Sequence, residues 1–153
     1  MQERLRTSIL ALIIAVASAG AARADAVLTF TPSTLSVVAG GTVEFTGTLT
    51  NTGDTDLYLN SDSFILPFAD LTVDDSPFFF DGPTFLLAGD SFTGAFIDVT
   101  ADATILSGSY SGTFTIQGGA DSSTFDDIAS VDYTVDVGSP VPEPNSFLLM
   151  AAG

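Results

Sequence analysis

The sequence predicts an all-β domain, an antiparallel sandwich of about seven short strands. Three observations carry that reading. Residues 25–138 are rich in Thr, Ser, Gly, Asp, Val and Phe, in strand-length runs separated by turn clusters. Several of those runs alternate apolar and polar residues with a period of two. No stretch within 25–138 sustains a helical period, and no internal repeat of about 20–50 residues is present.

The elements follow in order. Ala26 to Thr31 is an apolar run closed by Pro32, which ends the strand or carries it across an edge. Leu35 to Val38 is a second short run, stopped by the turn Ala39-Gly40-Gly41. From Thr42 to Thr50, Val43, Phe45, Gly47 and Leu49 share one face, and Glu44, Thr46, Thr48 and Thr50 the other. Asn51 to Asp56 is a polar turn in which Gly53 can take positive φ. Leu57 and Leu59 open the next strand, and Ser63 to Leu66 reads as another. Pro67, Pro77 and Pro83 break the stretch 67–90, which holds Phe78-Phe79-Phe80. Three adjacent phenylalanines cannot all face one way in a strand, so at least one packs over a sandwich edge or lies exposed. Ala88-Gly89-Asp90 is a turn. Between Ser91 and Thr100, Phe92 and Phe96 fall on one parity and Ala95, Ile97 and Val99 on the other, which predicts a bulge near Gly94.

Tyr110, Gly112, Phe114 and Ile116 give the inward face of the next strand, and Val131, Tyr133, Val135 and Val137 that of the last, with a hairpin-type loop from Gly118 to Thr124 between them. The segment Leu106-Ser-Gly-Ser-Tyr110 resembles the tyrosine corner of Greek-key sandwiches. It predicts that the Tyr110 hydroxyl bonds backbone near Leu106, and it sharpens the fold to an Ig-like Greek-key sandwich.

Composition bounds the chemistry. A chain of 153 residues allows one ordinary domain. There is no Cys, His or Trp, the formal net charge is −16, and the basic residues are Arg4, Arg6 and Arg23. Thiolate chemistry, disulfides and imidazole catalysis are therefore excluded. From Asp25 onward 18 carboxylates face no Lys or Arg, so no internal ion pair can form there and nucleic acid is not an expected partner. The carboxylates are expected to be solvated or to bind cations. Acid–base catalysis would be left to carboxylates and Tyr, and no enzyme is expected.

Both ends carry further signals. Arg4 and Arg6 precede the apolar run Ile9 to Ala17, and a small-residue segment ends Ala22-Arg23-Ala24. That order is a secretory signal peptide over 1–24, a short helix cut by signal peptidase to leave Asp25 as the new N-terminus. At the other end, residues 139–153 form a Pro-rich linker and an apolar tail. Asn145-Ser146 offers an N-cap, and Phe147 to Gly153 is expected to be a short apolar helix. Val141, Pro142, Glu143 and Pro144 match the sorting motif of PEP-CTERM proteins residue for residue, and the chain resembles that family over its tail and its signal-and-domain plan. The resemblance implies an exported bacterial protein that passes the inner membrane and is processed by the membrane enzyme exosortase. It also implies a setting of Gram-negative bacteria that make exopolysaccharide, with residence in the outer envelope, at the cell surface or in the extracellular matrix. The family tail continues as a membrane helix and an Arg cluster, whereas nine residues follow Pro144 here, against about 20 needed to span. The tail is therefore expected to be cut short at Gly153.

Oxygen-only ligands suit calcium. Candidate groups are Asn51, Asp54 and Asp56 in one turn, Asp74 and Asp75 in the irregular stretch, and Asp121, Asp126 and Asp127 in the last loop. None fits the EF-hand pattern, and turn chemistry with solubility is the favoured account. No cofactor is expected. The function expected is a non-enzymatic structural or adhesive envelope module, with a secreted carbohydrate- or calcium-binding module as the alternative. Exopolysaccharide or envelope components are the partners that fit the first reading.

Overall fold

Pro32 separates the first two apolar runs, and they join different sheets. The computed structural model describes residues 26–66 and 69–139. β1 (Ala26–Phe30) and β2 (Thr34–Val38) flank the cis Thr31–Pro32 peptide. They are followed by β3 (Thr42–Asn51), β4 (Leu57–Ile65), β5 (Leu71–Asp74), α1 (Ser76–Asp81), β6 (Phe85–Leu86), β7 (Ser91–Ala101), β8 (Gly108–Gly119) and β9 (Asp126–Gly138). A four-stranded sheet has the order β1-β3-β7-β5 and a five-stranded sheet the order β2-β9-β8-β4-β6. The four-stranded order is the A-B-E-D order of Ig-type sandwiches, and β4, β8 and β9 take the C-F-G places opposite.

Three expectations need correction. The sandwich is mixed, not wholly antiparallel: β2 runs parallel to β9, because the chain crosses at Pro32 without reversing. Nine strands are present among the described residues instead of about seven, because the irregular stretch supplies the short β5 and β6. That same stretch forms a helix, α1, with Pro77 in its first turn, a position where a missing N–H costs nothing. The helical turn solves the problem of three consecutive phenylalanines. Phe78 is buried and stacks on Phe96 at 5.1 Å, while Phe79 and Phe80 are turned outward. The expected signal helix over 1–24 and apolar helix over 147–153 lie outside the described residues.

The core is built where the alternation places it. Phe45, Leu49, Phe96, Ile97, Val99, Phe114, Ile116 and Val135 are wholly removed from solvent, and Tyr133 nearly so. Phe30 sits among the rings of Phe45, Phe96, Phe114 and Tyr133, with centroids 5.6–6.5 Å away. Phe45 opposes Ile97 and Thr46 opposes Ala95, so Phe96 is the extra residue of a bulge. The expected bulge thus falls two residues after Gly94, and it lets Phe96 and Ile97 both enter the core.

The outer faces show what serves the carboxylates of a domain without Lys or Arg. On β8–β9, successive rungs pair Ser109 with Asp136, Ser111 with Thr134, Thr113 with Asp132, Thr115 with Ser130 and Gln117 with Asp127. On β3–β7, hydroxyls bridge Thr42–Thr100, Thr48–Thr93 and Thr50–Ser91 at 2.8–2.9 Å. Ser, Thr and Gln donors thus serve several of the surface carboxylates, beside the solvation expected of them. Those donors carry no charge, so repulsion among the carboxylates persists. Raising NaCl from a few millimolar to moderate strength is expected to lift Tm by roughly 5 °C, about 1 kcal/mol, by screening. A thermal melt series checks this, and an unchanged or falling Tm would contradict it.

Register fixes two poles. Ala26 pairs with Asn51, Thr50 with Ser91, Leu57 with Leu86, and Gly118 with Asp126, so these residues share one end, the entry pole. Val38 pairs with Gly138, and Gly108 with Val137, at the exit pole. β9, 13 residues long, runs between the poles over about 40 Å. The described chain enters at one end and leaves at the other.

Candidate functional site

The entry pole is organised by Asn51. It continues the inward parity of Val43, Phe45, Gly47 and Leu49, so a polar side chain ends a core-facing row. It is fully buried. Its Nδ2 donates to the carbonyls of Thr55 (2.8 Å), Leu86 (3.2 Å) and Leu87 (3.1 Å), and its Oδ1 accepts from the Gly53 amide (3.0 Å). The backbone of Asn51 also bonds Gly89 and Asp90. One residue thus ties the end of β3 to the β3–β4 turn and to β6 across the sandwich. Its place in a calcium turn, offered by its sequence neighbours, is corrected: the side chain is consumed by backbone.

Beside this knot lies an apolar outer surface. Tyr58 opposes Phe85 across β4–β6, with ring centroids 6.2 Å apart, and both rings are exposed. Tyr58 also opposes Gly119, where the two strands approach closely. At the adjacent Gly118 a Cβ would collide with the Tyr58 carbonyl oxygen. Asn60 donates to the carbonyls of Asp121 and Thr124, pulling the β8–β9 loop over β4. Phe125 at the end of that loop and Leu87 after β6 are exposed as well.

The sequence-derived acidic candidates divide. Asp54, Asp56, Asp121, Asp126 and Asp127 all come to the entry pole, exposed. Asp121 accepts from the Ser123 hydroxyl and amide and from Thr124, which hold its carboxyl below the ordinary value. Asp127 accepts from Gln117. Asp74 takes the Ser76 amide, and the Ser76 hydrogen bonds lower its pKa. Asp75 is the N-cap residue of α1 without a side-chain cap bond. Among the described residues no group of three or more carboxylates comes together to hold a metal.

One acidic group that sequence reasoning missed is Asp62. It opposes the core residue Ile116, so it points inward from β4. Its Oδ2 is buried without a partner among the described residues. Burial first, then the negative charge of Asp75, push its pKa up to about 7. An acid whose pKa is higher folded than unfolded binds more protons in the native state between those values. Its contribution to stability is then lost as pH rises from about 4 to about 7. Asp62→Asn keeps the shape of the side chain and removes the charge. The variant is expected to match the wild type near pH 4 and to exceed it at pH 8 by about 1–2 kcal/mol, the size left after solvent screening of a partly buried group. Urea unfolding at the two pH values checks this. An equal difference at both would contradict it.

At the exit pole, the Tyr110 hydroxyl donates to the Leu106 carbonyl at 2.7 Å, the corner predicted from Leu106 to Tyr110. The sorting motif Val141, Pro142, Glu143 and Pro144, and the cleavage residues Ala22, Ala24 and Asp25, lie outside the described residues.

No protein-family model and no curated protein matches the chain. Solved structures similar to it include a PapD-like domain of human CEP192, at 11% identity over 79% of this chain and 89% of that one, with a TM-score of 0.45. The seventh ScaB type I cohesin of Pseudobacteroides cellulosolvens is similar at 13% identity over 79% and 97%, with a TM-score of 0.38. The secreted serine protease VesC of Vibrio cholerae is similar at 16% identity over 78% of this chain, with a TM-score of 0.42, and the chain spans 24% of that protein's length.

Proposed function

We propose that the chain is an exported envelope protein, a non-enzymatic structural or adhesive sandwich sorted by Val141-Pro142-Glu143-Pro144. The observation that carries this is the complete four-residue motif behind a domain preceded by a three-part leader. Signal peptidase would act at Ala24, and exosortase would act on the tail at the inner membrane. An exopolysaccharide matrix or another envelope component is the setting. Two further features support the reading. The last strand ends at the exit pole with Gly138, so a molecule still held by its tail at the inner membrane presents its opposite end outward. The residues after Arg23 supply neither imidazole, thiol nor amine for catalysis.

The test is Pro142→Ala combined with Glu143→Ala in the native host. The unaltered protein is expected in the outer envelope or medium with its tail removed. The variant is expected to accumulate at the inner membrane with its tail intact. Identical distribution and identical mass of the two would overturn the reading.

A further inference from the structure

We infer that the entry pole is a docking surface for a cationic, apolar-bearing protein segment, anchored on Tyr58 and Phe85 and steered by the carboxylates of that pole. The inference stands apart from the sorting proposal and rests on the following observations.

Four exposed apolar side chains, Tyr58, Phe85, Leu87 and Phe125, lie at this one pole. Tyr58 and Phe85 are 37% and 49% exposed although they touch one another, so half of an aromatic pair is offered to solvent. Large rings of this kind supply the anchors of protein interfaces. The platform is held from below. Asn51 fixes β6 through the Leu86 and Leu87 carbonyls, and Asn60 fixes the β8–β9 loop. A surface so braced loses little conformational freedom on binding.

Charge selects the occupant. Asp54, Asp56, Asp121 and Asp126 are exposed at the same pole, and the described residues contain no Lys or Arg. A second copy of this chain would bring like charges together, and so would an anionic polymer. A partner bearing Lys or Arg beside apolar side chains meets complementary charge and complementary burial at once.

The test uses the purified mature protein and a synthetic peptide alternating Lys and Leu, followed by fluorescence anisotropy. Poly-Lys and dextran serve as a charge-only and an uncharged-glycan probe. The Lys-Leu peptide is expected to bind more tightly than poly-Lys and to weaken steeply with salt. Tyr58→Ser with Phe85→Ser is expected to raise its Kd about tenfold. Asp54→Asn with Asp126→Asn should also weaken it several-fold, whereas Asp70→Asn at the exit pole should leave it unchanged. Phe125→Ser provides a second route should Tyr58→Ser disturb β4. The inference is overturned if poly-Lys binds equally well, if Asp70→Asn weakens binding as much as the entry-pole pair, or if dextran binds and is lost with the aromatic rings. Because the assay is in solution, its failure leaves the sorting proposal standing, and failed sorting leaves this surface intact.

Discussion

Replacing Asn51 by Ala is expected to cost about 3–4 kcal/mol and to lower Tm by about 15–20 °C. The side chain makes four hydrogen bonds in a fully buried place. Alanine would strand the Leu86 carbonyl, the Leu87 carbonyl and the Gly53 amide where water is scarce, and each such group costs about 1–3 kcal/mol unless it relaxes toward solvent. Asn51→Asp makes the argument specific. It keeps an acceptor for Gly53 but aims a carboxylate at three carbonyl oxygens, so it should be at least as damaging as Ala at pH 7 and partly rescued at pH 4, where the acid is protonated. Equilibrium unfolding in urea measures both. A tolerated Asp at pH 7 would mean that the carbonyls are not held as described.

Phe96→Ala is expected to cost about 3–5 kcal/mol. Its ring lies 5.1 Å from Phe78, 5.6 Å from Phe92, 5.7 Å from Phe30 and 6.3 Å from Phe114. Its removal opens a cavity at the junction of both sheets and α1, and it frees the stacked Phe78 that fastens the helix. Phe80, two residues from Phe78, is 84% exposed, and Phe80→Ala should stay within about 0.5 kcal/mol. Comparable losses from the two variants would contradict the packing described.

Local signals carried into the structure where a feature was complete within a few residues. The Tyr110 corner needed Leu106 to Tyr110, and the β3 faces needed only their own alternation. Features that depend on distant strands were illegible. Asn51 reads as a turn residue until β6, 35 residues away, brings it the Leu86 carbonyl. The inward parity of Val43 to Leu49, extended one step, was the available signal. Asp62 was hidden by an irregularity: Leu59 opposes Gly118 and Ser61 opposes Gln117, so Asn60 is extra and inverts the parity of β4 beyond it. Only with that inversion does Asp62 face inward. Helix α1, at six residues, is too short for a helical period to stand out, and its three phenylalanines match β propensity as well. The docking pole was invisible for a simpler reason. Tyr58 and Phe85 lie far apart in sequence and meet only through strand register, which also brings Phe125 to the same end.

The most direct test of the account is the intact mass of the protein recovered from its own cells. Export and sorting predict a chain that begins at Asp25 and has lost the apolar residues from Phe147 onward. A protein that still begins at Met1, or a mature form that still carries Phe147 and its neighbours, would contradict it.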